Sequence, residues 1–74
     1  MKTVDMEKTG ENINRMRRER GVTVNEIRDA AGLSAISGIY KWFHGESLPT
    51  VDNLIILADL FGVGIGDIII TRSV

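Results

Sequence analysis

The sequence predicts an all-α fold, five short helices packed into one compact bundle within 74 residues. Three observations carry that prediction. Apolar residues recur three and four positions apart in separate stretches, and nowhere alternate as a half-buried strand would. The stretches are punctuated by helix-start and helix-stop residues: Thr23 before Gly32, Ser34 before Gly45, Thr50 before Gly62. With no cysteine, no disulfide framework or zinc–thiolate site can staple the chain, so the helices must hold one another.

The first helix spans about Asp5 to Arg20. Met6, Ile13 and Met16 share one face with Gly10, and a glycine there weakens a helix by roughly 1 kcal/mol, which suits a position needed for close helix packing. Arg15, Arg17, Arg18 and Arg20 crowd its C-terminal end, where cations complement the macrodipole and are expected to be mainly solvated. Gly21 stops it. The second helix has the clearest local signature. Thr23-Val24-Asn25-Glu26 reads as a capping box, with Val22 and Ile27 placed as a hydrophobic staple. It runs to about Ala31 and ends at Gly32, and Leu33 folds back.

Ser34 is expected to cap a third helix from about Ala35 to His44. Ile36, Ile39, Trp42 and Phe43 form its apolar face, and Ser37, Tyr40 and Lys41 fall largely opposite. Gly38, mid-helix, is expected to thin the side where another backbone approaches. Gly45 ends this helix, and the loop Glu46-Ser47-Leu48-Pro49 leads to a fourth, capped by Thr50. Val51, Leu54, Ile55, Leu57, Ala58 and Phe61 give the fourth helix a broad buried face up to Gly62. A fifth helix covers about Ile65 to Ile70, and Thr71 to Val74 are expected to fray. Residues 5–70 make the ordered core of a single domain.

The composition narrows the function. No apolar run approaches the roughly 18 residues of a membrane helix, and no signal peptide is seen, so the expectation is a cytoplasmic protein with no membrane partner. The single histidine, flanked by phenylalanine and glycine, provides neither a metal site nor a nucleophile–base set. No enzyme activity, cofactor or metal is expected. Gly62-Val63-Gly64-Ile65-Gly66-Asp67 is no phosphate loop, because no strand precedes it and no lysine follows its last glycine. The net charge of −1 is divided unevenly: six cations against four carboxylates leave +2 on residues 1–20, and the remainder carries −3. A nucleic-acid surface would then rest on a few placed cations and helix ends, with no broad basic stripe.

Two helices joined by a turn at Gly32, the second with exposed polar residues, form a helix-turn-helix pattern. In order and spacing, several stretches resemble the small Cro/C1-type (XRE-like) helix-turn-helix domains of bacteria and phage. These are Thr9-Gly10-Glu11-Asn12-Ile13, Arg20-Gly21-Val22-Thr23-Val24, Gly32-Leu33-Ser34, Ile39-Tyr40-Lys41-Trp42, Gly45-Glu46-Ser47-Leu48-Pro49-Thr50, Asp52-Asn53-Leu54 and Leu60-Phe61-Gly62-Val63. The resemblance covers about Thr9 to Ile70. It implies a lambda-repressor-like bundle, with the helix-turn-helix at about 23–44, acting as a sequence-specific, repressor-like transcriptional regulator on double-stranded DNA.

The same resemblance implies that the third helix enters the major groove and reads bases through Ala35, Ile36, Ser37, Tyr40 and Lys41. It implies phosphate contacts from Thr23, Val24 and Asn25 and from His44, Gly45 and Ser47; Val24 has no side-chain donor. The chain departs from the family pattern in several places. Val24 replaces a frequent glutamine, and Arg28 a common alanine, so this cation must snorkel outward or alter the helix packing. Gly32 to Ile39 is one residue longer than usual, so the turn absorbs an extra residue. Ser37 is shorter than the amide side chain usual there, and Phe43 and His44 replace polar or basic residues. Trp42 reads as core. A homodimer is expected, through a patch of Ile56, Leu60, Ile69, Ile70 and Val74. The alternative is a helix-turn-helix fold used for protein–protein interaction or as an antitoxin-like partner, with Ile36, Ile39 and Phe43 exposed together.

Overall fold

A computed structural model describes residues 1–74. The five predicted helices are all present: α1 (Met6–Glu19), α2 (Val24–Ala31), α3 (Ser37–Phe43), α4 (Val51–Phe61) and α5 (Ile65–Ile68). Two short strands, β1 (Lys2–Val4) and β2 (Thr71–Ser73), flank them and pair antiparallel, Lys2 opposite Ser73 and Val4 opposite Thr71. The expectation of a frayed tail and no strand is overturned here. Three-residue strands at opposite ends of a chain leave no alternating pattern for a local window to detect.

Local chemistry sets most helix ends. Asp5 caps α1 by accepting from the Lys8 N–H at 2.9 Å. At α2 the capping box closes: the Thr23 hydroxyl accepts from the Glu26 N–H at 3.1 Å, and the Glu26 carboxylate accepts in return from the Thr23 N–H at 3.4 Å. Thr50 caps α4 through the Asn53 N–H at 3.2 Å. Gly32 and Gly62, at φ 66° and 72°, end α2 and α4 in the left-handed region, where a side chain would be strained.

Two ends differ from expectation. α3 begins at Ser37 and not Ala35, and Ser34 makes no capping bond. The helix is entered through the backbone of Ile36, whose carbonyl accepts from Ile39 and Tyr40. The stretch Leu33–Ile36 between α2 and α3 is irregular. α5 stops at Ile68 and not Ile70, because Ile69 turns extended and Ile70 is held by α1. The Ile70 carbonyl accepts from the Asp5 N–H at 2.8 Å, and its N–H donates to the Thr9 hydroxyl at 3.0 Å.

One apolar cluster fills the centre. Ile13 and Met16 of α1, Ile27 of α2, Ile39, Trp42 and Phe43 of α3, Leu54, Leu57 and Phe61 of α4 and Ile68 of α5 all lie within it. Val22 joins them, so both residues of the predicted staple are buried. Ile13, Ile27, Ile39 and Ile68 are wholly inaccessible to solvent. Each such side chain contributes about 1.5–3 kcal/mol relative to exposure.

The polar side of α1 ties the chain's far end down. Asn12, 8% exposed, donates its amide to the carbonyls of Asp67 and Ile68 at 2.9 and 3.0 Å. These are carbonyls that the end of α5 leaves without an intrahelical donor. Arg15 in turn donates to the Asn12 side-chain oxygen and pairs with Glu19 at 2.8 Å.

Candidate nucleic-acid interface

α3 is held from one side and free on the other. Its inner residues Ile39, Trp42 and Phe43 are buried, while Ser37, Tyr40 and Lys41 are exposed. Gly10 of α1 sets how close the two helices come. A Cβ on Gly10 would land on the Trp42 carbonyl oxygen and lie 3.0 Å from that of Phe43. The predicted role of this glycine in close packing is therefore what the structure uses. Gly38 behaves otherwise. A Cβ there would meet nothing within 4 Å, so no backbone approaches it and that expectation fails.

The arginines at the end of α1 are mostly structural ties and not the solvated cluster expected. The Arg17 guanidinium lies 5.5 Å from the Phe43 ring centroid and donates to the Asn14 side chain and, at 3.2 Å, to the Val22 carbonyl. It thereby joins α1, the entry to α2 and α3. Stacking of this kind is worth about 0.5–1 kcal/mol at partly exposed sites. Arg20 donates from Nε to the Phe61 carbonyl at 2.8 Å, at the negative end of α4. Only Arg18 is exposed and without a side-chain partner.

Tyr40 is half committed to the fold and half open to solvent. Its ring stands edge-on to Phe43, centroids 5.6 Å apart, yet it remains 43% exposed. Lys41 is exposed and makes no ion pair. Past the helix, Gly45 takes φ 72° and a Cβ on it would lie 2.8 Å from the Glu7 Cα, so the loop is pinned to the start of α1. His44 is exposed on this loop, and Ser47, half-buried, donates its N–H to the Lys41 carbonyl at 3.4 Å.

Ala35 and Ile36 are exposed in the turn before α3, and Asn25 is exposed on α2. The Thr23 hydroxyl is occupied by its cap. Val24 is half-buried against the core. Arg28 snorkels outward, as its length requires, and meets Asp29 at 3.2 Å. A groove of about 340 Å³ opens between the starts of α3 and α4. It sets Thr50 and Asn53 alongside Ala35, Ser37 and Gly38. Neither Thr50 nor Asn53 was among the sequence candidates, because their nearness to α3 is tertiary and leaves no local signal.

The exposed apolar patch proposed for a protein-interaction module does not form. Ile39 is fully buried and Phe43 is 7% exposed, leaving Ile36 alone at 38%. Phe43 is needed inside, beneath Arg17.

The helix-turn-helix family profile matches residues 13–68, from the middle of α1 to the end of α5. The chain belongs to this family. Its XRE-type members are DNA-binding regulators, and this chain is one of that kind. Solved structures share the fold at low identity. The restriction-modification controller protein C.AhdI from Aeromonas hydrophila superposes with a TM-score of 0.75 at 19% identity, over 86% of this chain and 96% of that one. The clp gene regulator ClgR from C. glutamicum gives 0.72 at 19% identity, over 85% and 80%. The DNA-binding domain of BldD gives 0.69 at 18% identity, over 88% and 93%. No curated protein sequence matches the chain. No helix is long and apolar enough to cross a membrane.

Proposed function

We propose that this regulator binds a specific duplex site as a homodimer and represses transcription, with α3 lying in the major groove. The observation that carries the reading is the free edge of α3. Ser37, Tyr40 and Lys41 project from a helix whose other side is locked to α1. Lys41 suits guanine O6 and N7 or a phosphate, Ser37 can serve any base edge, and Tyr40 can reach a sugar or phosphate. Ala35 and Ile36 would meet thymine methyls at the start of the helix. Asn25 and Thr23 on one flank, and His44 and Ser47 on the other, would position the phosphate strands. Thr23 would do so only by loosening its cap, since Glu26 engages both its hydroxyl and its N–H.

One short helix reads only a few base pairs, so a pseudo-palindrome with half-sites about one helical turn apart fits a two-fold dimer. Ile70 and Val74 are exposed and Ile56, Leu60 and Ile69 half-buried, so each keeps apolar surface that a dimer contact could cover. The protein would act in the cytoplasm as a binding protein and not an enzyme.

Selection from a random duplex library tests the reading. The winner should bind with Kd between about 10⁻⁹ and 10⁻⁶ M and weaken steeply with salt. Enrichment of no sequence at low salt would refute it. Sedimentation of the complex should give two chains per site.

A further inference from the structure

The outward face of α4 presents apolar and acidic residues that neither the core nor the reading helix uses. Leu54, Leu57, Ala58 and Phe61 turn inward. Val51 and Ile55, expected on the buried face of this helix, instead lie outward at 69% and 52% exposure, because the core takes only the Leu54–Leu57–Ala58–Phe61 stripe. Leu48, three residues before Val51, is 39% exposed. Asp52 and Asp59, two helical turns apart, flank this ridge, and neither side chain forms a salt bridge or hydrogen bond. No lysine or arginine occurs between Lys41 and Arg72, so the stripe has no cation from its own segment.

The geometry points to this ridge as the docking surface for a basic amphipathic helix of a second protein. Charge decides among possible occupants. A second copy packing antiparallel, α4 on α4 about Ile55, would bring Asp52 of one chain to Asp59 of the other, and like-charge juxtaposition disfavours such a contact. DNA is repelled for the same reason. A helix with lysine or arginine one or two turns apart beside leucine-like residues fits both features. Its aliphatic stems would cover Val51 and Ile55 while its charged heads reach the two carboxylates. The ridge is narrow, so the contact belongs to the small, transient class of interfaces. Leu48 also lines the groove beside Ser37, so the ridge meets the reading edge of α3 at that end. Val51, Ile55 and Asp59 line no part of that groove, and Ile56 and Leu60 of the dimer patch lie on the far side of the acidic pair.

The full chain, labelled with ¹⁵N, is titrated with a synthetic 14-residue helical peptide of lysine and leucine. A twin peptide carrying glutamate for every lysine serves as control. We expect amide shifts confined to α4 and the loop before it, and no shifts with the twin. The double variant Asp52→Asn/Asp59→Asn should weaken binding at least tenfold, and Ile55→Ser should do likewise, with melting temperature unchanged. Shifts spread over other acidic surfaces, equal binding of the twin, or no shifts would overturn the proposal. So would a dimer of the parent chain that Ile55→Ser dissolves, because a second copy would then own the ridge. Duplex binding of Ile55→Ser, which keeps both carboxylates, reports separately on the DNA-binding reading and should stay at the parent level.

Discussion

The two edges of α3 make opposite demands on sequence. On the inner edge every atom is committed. Gly10 admits the Trp42 carbonyl, Ile39 is sealed from solvent, and Phe43 lies beneath the Arg17 guanidinium. On the outer edge the side chains of Ser37 and Lys41 form no hydrogen bond or ion pair, and beside Gly38 there is open space. A helix of only seven residues cannot hold itself rigid in water, because short isolated helices are marginal. The inner edge therefore supplies the rigidity that the proposed reading of DNA by the outer edge requires. Substitutions should divide accordingly, those inside moving stability and those outside moving DNA affinity.

The largest effect is expected at Gly10. In Gly10→Ala the new methyl meets backbone oxygen and not a flexible side chain, so α1 and α3 must separate. Overpacking of this severity costs about 3 kcal/mol. For a domain of this size that lowers Tm by roughly 12–24 °C in a thermal melt followed by circular dichroism. A melt within a few degrees of the parent would show that α3 is not positioned by this contact.

Asn12 comes next. It serves the same inner side of the molecule but acts on the far end of the chain. Asn12→Ala would leave the Asp67 and Ile68 carbonyls without their donor and release Arg15. A buried group left unsatisfied costs about 1–3 kcal/mol. Urea unfolding should show a loss of about 2 kcal/mol, and hydrogen exchange should speed up at Ile69 and Ile70 before it does at Ile39. A uniform rise in exchange across all helices would mean that the terminal strands are not a separable unit.

How much of this was legible beforehand follows the range of the interactions. The capping box at Thr23, the cap at Thr50 and the glycine stops rest on contacts within a few residues, and they stand where the sequence placed them. Gly10 was legible because a glycine amid helical periodicity calls for a reason. The pairing of β1 with β2, the early end of α5 and the hold of Thr9 on Ile70 span sixty residues or more and leave no local pattern. Arg17 and Arg20 looked like solvated helix-end charges because Phe43 and the Phe61 carbonyl approach them only in the folded chain. The candidate site was legible as a helix face, through the family resemblance and the apolar spacing of α3. Its groove with Asn53 and Thr50 was not.

On the outer edge the effect moves from stability to binding. Lys41→Ala should leave the urea midpoint unchanged, since the side chain has no protein partner. Affinity for the selected duplex should fall about tenfold. If the lysine meets a phosphate, the salt slope should drop by about one; if it meets a base, specificity at one position should relax instead. A fluorescence-anisotropy titration at several salt concentrations separates the two. Unchanged affinity would remove Lys41 from the interface.

The smallest effect is the sharpest test of the contrast, because it repeats the Gly10 substitution on the other edge. Gly38 lies inside α3 with ordinary helical backbone and no neighbour within 4 Å of a built Cβ. Gly38→Ala therefore encounters no clash and reduces the freedom of the unfolded chain, which stabilises by about 0.4–1 kcal/mol. Tm should rise by a few degrees, the reverse in sign of the Gly10 change. The methyl would stand at the lip of the groove beside Ser37, so duplex affinity need not follow stability upward. A rise in Tm accompanied by weaker binding would place the groove at the DNA surface. A fall in Tm would show that the outer edge is packed after all, and the division between the two edges of α3 would not hold.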